Sequence, residues 1–342
     1  MLLRPVSPIS ALLSNTKSKF PAKCIIHSKM GSESKSLVGK KSANYRLANI
    51  SGFKTDLLEI NSNEPKLHVL LIPGNPGVVS FYTEFLESLY ELLGGTASVT
   101  GISHISQSKK DWESRRLFSL EEQIDHKISF IEQELQDVEV PIILVGHSIG
   151  SYISLEVLKR CHKKVTYCVG LYPFLALNTA SSTQSFIRRL AMSPALCTAA
   201  SAIGALFGAL PSELTGFLVK IFVGKSWSSS AVEALCTHIL KYHTLRNVLY
   251  MAMTEFQTLP EKPDLEFIAS KRSRIAFLFG LDDHWGPLQF YEEMRKQIPD
   301  ASLDVEREGH THAFSCTAAG STWVAQHVSS LIKNHIQLAK GS

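Results

Sequence analysis

Short apolar runs alternate with amphipathic stretches along most of the chain. Residues 67–72 form one such run, which Pro73-Gly74 ends, and residues 81–93 then carry apolar side chains at helical spacing. The same pattern predicts strands at 67–72, 99–102, 141–145, 165–171, 274–279 and 302–305, and helices at 81–93, 119–138, 149–160, 288–297 and 321–336. Because strand and helix alternate, we expect βαβ units around a mostly parallel sheet flanked by helices, which is an α/β fold.

One long segment, residues 174–271, interrupts this alternation. No regular succession of strand and helix is visible in it, and the alternation resumes after it. The sequence therefore predicts one α/β core, made of residues 47–173 and 272–342, with residues 174–271 inserted as a helical cap. Residues 1–46 precede the core as a separate basic tail.

The cap contains a long apolar stretch. Residues 190–210 carry no charged side chain, Pro211-Ser212-Glu213 interrupt the stretch, and residues 214–223 are apolar apart from Lys220. The first part is long enough to span a bilayer, but its many Ala, Gly and Ser residues make it only mildly apolar. Three interpretations stay open: a membrane-spanning helix, a hairpin inserted into one phospholipid monolayer, or cap helices that roof an acyl pocket.

Charge is distributed unevenly along the 342 residues. Residues 1–46 carry nine Lys and Arg against one acid, so the net charge of +4 leaves −4 for the remaining chain. A mildly acidic body without a basic patch argues against nucleic acid as a partner. The tail is rich in Ser and Lys, which is typical of a plastid or mitochondrial transit peptide or of a disordered tail. An internal start at Met30 would remove most of it.

Cysteine and histidine spacing indicates neither a metal nor a cofactor site. The six cysteines include no C-x-x-C pair and fit no zinc template, so we interpret them as reduced thiols of an intracellular protein. There is no H-E-x-x-H and no phosphate-binding glycine loop, and His310 and His312 lack the spacing of a helical ligand pair.

The strongest chemical signal is Gly146-His147-Ser148-Ile149-Gly150, which fits G-x-S-x-G. A predicted buried strand precedes it and a predicted amphipathic helix follows it, as a nucleophile elbow requires. Glycine at both flanking positions permits the tight turn that lifts the serine hydroxyl above the sheet. The first amides of the helix favour negative charge there. Ser148 is therefore the candidate nucleophile.

Two backbone amides are candidates for an oxyanion hole. Ile149 N–H follows the nucleophile directly. The second donor is expected in the loop Pro73-Gly74-Asn75-Pro76-Gly77, because this loop follows the strand at 67–72. Pro76 has no N–H, which leaves Asn75 as the candidate, with Gly74 allowing close approach.

A carboxylate and an imidazole should complete the site. Asp282 and Asp283 follow the first strand after the cap, and we favour Asp283 as the group that orients the imidazole. His310 and His312 precede the last helix, and we favour His312 as the base. The order Ser, Asp, His along the chain matches the α/β-hydrolase fold and differs from the chymotrypsin and subtilisin orders.

At these positions the chain resembles the lipid droplet-associated hydrolases over about residues 50–335. The features that carry the resemblance are Leu71-Ile-Pro-Gly-Asn-Pro-Gly77 with Phe81-Tyr82 after it, Gly146–Gly150, Asp283-His284-Trp285 and His312-Ala313-Phe314. The resemblance implies a serine hydrolase without a cofactor that cleaves neutral lipid esters, such as sterol esters or acylglycerols, at the lipid droplet surface. It also supports Ser148, Asp283 and His312 as the triad.

This interpretation has consequences for location. We expect the cap to contact the droplet or the cytoplasmic face of the endoplasmic reticulum. Two alternatives stay open. One is a droplet-binding or droplet-organising protein with little turnover, which the apolar cap favours. The other is an esterase or thioesterase of a plastid or mitochondrion, which the basic tail favours.

Overall fold

The computed structural model describes residues 41–161, 163–223 and 226–341. Eight strands and eleven α-helices lie within these ranges. The strands are β1 Asn44–Ile50, β2 Phe53–Ile60, β3 Leu67–Ile72, β4 Ala97–Ile102, β5 Ile142–His147, β6 Val165–Leu171, β7 Ile275–Gly280 and β8 Ser302–Glu306. The helices are α1 Thr83–Leu92, α2 Leu120–Glu134, α3 Ile149–Arg160, α4 Ser182–Ala191, α5 Pro194–Gly208, α6 Ser212–Val223, α7 Ser229–Ala234, α8 Tyr242–Thr258, α9 Leu265–Ser270, α10 Leu288–Gln297 and α11 Ala318–Gly341.

The strands form one sheet in the order β1-β2-β4-β3-β5-β6-β7-β8. Strands β3 to β8 are parallel, whereas β2 runs antiparallel to β1 and to β4. The predicted, mostly parallel sheet is therefore confirmed. Strands β3, β4, β5 and β7 are buried along their whole length, because helices cover both faces of the sheet.

Two helical layers enclose the sheet. Apolar side chains of α1 and α11, including Phe85 and Val328, pack with the strands in one cluster. Side chains of α2, α3 and α10, including Phe130 and Ile153, pack with them in the other. The N-terminus of α2 carries the predicted capping box: Ser119 accepts from Glu122 N–H, and the Glu122 carboxylate accepts from Ser119 N–H.

The predicted end of the tail at residue 46 is wrong, because β1 already begins at Asn44. Arg46 was counted with the basic tail, but it pairs with Glu59 on β2 at 2.9 Å and with Glu134 on α2 at 2.7 Å. As the edge strand, β1 buries only Ala48 and Ile50, so its hydrophobic signal is weak. Residues 1–40, including the predicted targeting segment, Cys24 and Met30, lie outside the described ranges. The other five cysteines are free thiols.

Between β6 and β7 the chain forms the helices α4 to α9. The apolar stretch at 190–210 is broken at Ser193, whose hydroxyl caps α5, with Pro194 in its first turn. Among the described residues, no single helix has the length and apolar composition needed to cross a membrane. Helices α4 and α5 meet these criteria only as a pair, and they are bent by 95° relative to each other.

Candidate active site

Ser148 lies in the sharp turn between β5 and α3. Its backbone has φ +56° and ψ −124°, a conformation that non-glycine residues rarely adopt and that costs free energy to maintain. The surrounding structure holds this conformation: Ser148 N–H donates to Leu171 O at 2.9 Å, and Phe174 N–H donates to Ser148 O at 3.1 Å. Such strain at the end of a buried strand is the geometry of a nucleophile elbow.

The two flanking glycines are required by close backbone contacts. A Cβ at Gly146 would lie 2.3 Å from Gly150 O, and a Cβ at Gly150 would lie 2.2 Å from Ile72 O. Both atoms belong to the backbone, so neither can move aside cheaply. The G-x-S-x-G pattern therefore reflects the packing of β5 and α3 against the end of β3.

Asp283 and His312 are brought together at the carboxyl edge of the sheet. Asp283 Oδ2 accepts a hydrogen bond from His312 Nδ1 at 3.0 Å, and Asp283 Oδ1 accepts from Trp285 N–H at 2.9 Å. Asp283 is buried, whereas the neighbouring Asp282 is exposed. A buried carboxylate bonded to Nδ1 fixes the imidazole with Nε2 free to act as a base.

The other candidate histidine lies elsewhere. The ring of His310 packs 5.7 Å from the ring of Trp323 on α11, measured between centroids. Its main-chain oxygen accepts from Tyr172 Oη at 3.4 Å. Of the two imidazoles left open by the sequence, His312 is therefore the one that contacts the buried carboxylate.

His147, the residue before Ser148, contacts His312. Its ring lies 4.9 Å from the His312 ring, and its Nε2–H donates to His312 O at 2.9 Å. Among the described residues, no hydrogen bond joins the Ser148 hydroxyl to His312. A direct Ser148–His312 bond during reaction thus remains a prediction.

The loop at 73–77 lies against the elbow, as the sequence suggested. A Cβ at Gly74 would lie 3.0 Å from Ser148 Cβ, which is tighter than an ordinary van der Waals contact, so glycine favours this approach. Gly74 N–H is occupied, since it donates to Tyr82 Oη at 3.1 Å. Within the described ranges, no hydrogen bond is found for Asn75 N–H or for Ile149 N–H. These two amides are therefore available to bind an oxyanion.

A buried network that the sequence analysis missed connects this loop to the elbow. Tyr82 Oη lies 2.7 Å from His147 Nδ1. Burial raises the pKa of the Tyr82 phenol, and burial together with His312 lowers the pKa of His147 well below its ordinary value. Both side chains are thus uncharged at neutral pH. The Phe-Tyr pair and the histidine inside the elbow were visible in the sequence, but their pairing requires the fold.

A carboxyl group from the cap also reaches this region. Glu255 on α8 is 3% exposed, and its Oε1 accepts from Asn75 Nδ2 at 3.1 Å. Burial raises the pKa of Glu255 to about 8. The next residue on α8, Phe256, forms an aromatic cluster with Phe174 and Trp285, with ring centroids 4.8 to 6.5 Å apart. The spacing of Val248, Met251 and Glu255 on one helical face was the available signal for this buried acid.

In the described part of the chain, no group of three or more His, Cys, Asp or Glu side chains is arranged to hold a metal ion.

The chain matches the model of a known protein family. The model of the family described as "Lipid-droplet associated hydrolase" matches residues 65–315. A lipid droplet-associated hydrolase of Dictyostelium discoideum is 29% identical over 273 residues, which cover 76% of this chain and 86% of that protein. The Rattus norvegicus protein of the same name is 30% identical over 273 residues, covering 74% and 81%.

Solved structures share the fold. A soluble variant of the Saccharomyces cerevisiae monoglyceride lipase, solved with a substrate analogue, superimposes with a TM-score of 0.56 at 13% identity. The superposition covers 86% of this chain and 96% of that chain. The architecture is thus the α/β-hydrolase fold, as expected from the order of the candidate residues.

Proposed function

We propose, from the premise that the chain belongs to the lipid-droplet associated hydrolase family, that it is a serine hydrolase cleaving carboxylic esters of neutral lipids at the droplet surface. Ser148 is the nucleophile, His312 the base and Asp283 the group that orients it. The observation that carries this proposal is the hydrogen bond from His312 to the buried Asp283, together with the strained backbone of Ser148. This combination of strain and an oriented imidazole is what nucleophilic acyl transfer requires.

The reaction follows from these positions. His312 Nε2 takes the hydroxyl proton of Ser148 as the oxygen attacks the ester carbonyl, while Asp283 stabilises the imidazolium that forms. Asn75 N–H and Ile149 N–H donate to the tetrahedral oxyanion. The ester C–O bond then breaks, and the alcohol leaves with the proton from His312. Water, deprotonated by His312, attacks the acyl-enzyme and releases the fatty acid and Ser148.

The cap supports a lipid surface as the site of action. Ten of the 15 exposed large apolar side chains among the described residues come from α4 to α6 and their connections. We call this set the apolar cap surface: Phe186, Met192, Leu196, Ile203, Leu206, Leu210, Leu214, Phe217, Ile221 and Phe222. A contiguous segment this rich in exposed apolar side chains is unusual on a protein that is bathed only by water.

The occupant that fits this surface is a phospholipid monolayer. Helices α4 and α5 meet at an angle of 95°, and α5 carries no charged residue, so they can lie in the interface and insert their apolar side chains. The same helices carry three exposed cations, Arg188 and Arg189 on α4 and Lys220 on α6, which can pair with phosphate groups of a monolayer. Sterol esters and acylglycerols lie beneath such a monolayer in a droplet, which makes them the proposed substrates.

The same surface favours a second function, a droplet-binding or droplet-organising protein with little turnover. The two functions differ in whether Ser148 reacts. The organellar esterase considered from the basic tail depends on residues outside the described ranges, and the apolar cap surface does not favour it.

Labelling with a fluorophosphonate probe separates these functions. We expect covalent labelling of the purified protein at Ser148, no labelling of Ser148→Ala, and ester hydrolysis that is lost in the same variant. Equal droplet binding by both proteins, with no labelling of either, would instead favour the binding protein. Hydrolysis that persists in Ser148→Ala would exclude Ser148 as nucleophile.

A further inference from the structure

The cap helix α8 contributes a carboxyl group to the interior beside the candidate oxyanion loop. Glu255 is 3% exposed, and the next residue on the helix, Phe256, belongs to an aromatic cluster with Phe174 and Trp285. Its Oε1 accepts from Asn75 Nδ2 at 3.1 Å, and Val248 O accepts from the same amide nitrogen at 2.9 Å. Both acceptors belong to α8. They are seven residues apart, which is about two turns, so they lie on the same face of the helix.

A buried carboxyl without a cation is costly to keep, so its retention calls for a reason. Among the described residues, no Lys or Arg forms an ion pair with Glu255. Burial raises its pKa to about 8, and the bond from Asn75 opposes this rise. At neutral pH most molecules therefore hold the neutral acid, which still offers Oε1 as an acceptor to the Asn75 amide.

The loop at 73–77 is held from three directions. Gly74 N–H donates to Tyr82 Oη at 3.1 Å, and Gly77 N–H donates to Gln107 Oε1 at 2.6 Å. These bonds tie both ends of the loop to the core. The centre of the loop is tied to the cap instead, through the Asn75 side chain and its two acceptors on α8.

We propose that Glu255 is a positioning residue, which holds Asn75 through its side chain so that Asn75 N–H faces the oxyanion. This inference rests on the proposed function, because it assigns Asn75 N–H to the oxyanion hole. Glu255 does not touch the reacting atoms. It acts by fixing the backbone of Asn75. Because Glu255 belongs to α8, the geometry of the oxyanion hole then depends on the position of this cap helix.

Three variants test this role. Glu255→Met keeps the length of the side chain and removes the acceptor. Glu255→Gln keeps an acceptor oxygen and a donor, as the neutral acid does. Thr254→Val is the matched control on α8, since Thr254 Oγ1 accepts from Leu120 N–H and makes no bond to Asn75.

Two readouts separate positioning from folding: kcat and KM on a p-nitrophenyl ester, and the inhibition constant of an alkyl trifluoromethyl ketone. The ketone forms a hemiketal oxyanion with the serine, so its affinity reports the hole directly. We expect Glu255→Met to lower kcat by about 10- to 100-fold with KM little changed, since losing one donor outright costs about 10²- to 10³-fold. The affinity of Glu255→Met for the ketone should fall by a similar factor.

Rescue by the conservative variant completes the test. Glu255→Gln should lose less than about 3-fold in kcat, and Thr254→Val should stay within 2-fold even if it unfolds at lower temperature. A Glu255→Met protein that is folded and keeps wild-type ketone affinity would overturn the inference while the proposed function stands. A wild-type protein that neither hydrolyses the ester nor reacts at Ser148 with a fluorophosphonate would instead overturn the proposed function itself.

Discussion

His147 donates its Nε2 proton to the main-chain carbonyl of His312 across 2.9 Å. A carbonyl can only accept, so Nε2 carries the proton and Nδ1 of the neutral ring must accept. Its partner at Nδ1 is the Tyr82 hydroxyl, which in turn accepts from Gly74 N–H. One directed chain of hydrogen bonds therefore runs from the oxyanion loop through the elbow to the loop that carries the candidate base.

Removing the Tyr82 hydroxyl should loosen both ends of this chain. In Tyr82→Phe, Gly74 N–H loses its acceptor and His147 Nδ1 loses its donor, and both groups stay buried. Each unsatisfied buried group costs about 1–3 kcal/mol, so we expect the two together to lower the free energy of unfolding by about 2–6 kcal/mol, measured by urea denaturation. The rate of fluorophosphonate labelling should fall as well.

Tyr90→Phe serves as the control for this change. Tyr90 lies on α1, which begins directly after Tyr82, and is only partly buried, so its variant should stay within about 0.5 kcal/mol of the wild type. Equal destabilisation by the two substitutions would show that the Tyr82–His147 hydrogen bond makes no specific contribution to the free energy of unfolding.

The neighbouring residues Asp282 and Asp283 offer a test of the proposed triad, because one can serve as the control for the other. Asp283→Asn keeps the shape of the side chain but lets the amide donate to the imidazole, which favours the wrong tautomer. We expect kcat on an ester substrate to fall by about 10³- to 10⁴-fold. Asp282→Asn alters an exposed carboxyl that makes no bond to His312 and should leave kcat within about 2-fold. Similar losses in both variants would contradict the assignment.

Much of the fold is predictable from sequence because the parallel strands are buried on both faces. Residues 142–147 and 275–280 therefore stand out as apolar runs. The elbow is predictable for a related reason, since its geometry requires glycine at two fixed positions. The pairing of Asp283 with His312, which the sequence favoured, is present, and their catalytic role stays a prediction.

Other features escape sequence reasoning for physical reasons. The hairpin of β1 and β2 lies at the sheet edge. Few positions of β1 are buried there, so its hydrophobic pattern in the sequence is weak. The contacts of Glu255 with Asn75 and of Tyr82 with His147 join residues 180 and 65 positions apart, so only the fold brings them together. Single hydrogen bonds leave no periodic trace in the sequence.

The apolar cap surface should determine binding to droplets without affecting chemistry at Ser148. Phe217 and Ile221 lie one turn apart on α6, and each is more than 60% exposed. Replacing both with Ser removes about 2 kcal/mol of insertion free energy per side chain, so partitioning onto triolein droplets coated with phosphatidylcholine should fall by about 100-fold or more. Flotation measures this partitioning.

The matched control removes two exposed leucines outside the cap. Leu47 on β1 and Leu338 on α11 are 43% and 75% exposed. Their double Ser variant should bind droplets as the wild type does. Fluorophosphonate labelling in detergent-free solution should be unchanged in all these proteins, and a parallel loss of labelling and flotation in the Phe217/Ile221 variant would point to misfolding of the cap instead.

Stability should also depend on pH through Glu255. Its pKa is raised by burial to about 8 in the folded protein, whereas an unfolded glutamate titrates near 4.5. Below pH 4.5 both states hold the proton, so the group has no effect on the pH dependence there. Between pH 4.5 and 8 the unfolded state loses its proton first, and folding stability declines as pH rises.

Glu255→Gln cannot ionise and escapes this decline. Its free energy of unfolding should exceed that of the wild type by a margin that grows from pH 4.5 upward and reaches the order of 3 kcal/mol at pH 7, since one pKa unit corresponds to about 1.4 kcal/mol. Urea unfolding at pH 5, 6, 7 and 8 measures the margin, with Thr254→Val as a variant whose offset from wild type should be independent of pH. Parallel curves for Glu255→Gln and wild type would mean that Glu255 titrates normally in the folded protein. A stability gain in Glu255→Gln would identify the acid as a group retained beside the oxyanion loop at a cost to the fold, as functional positions commonly are.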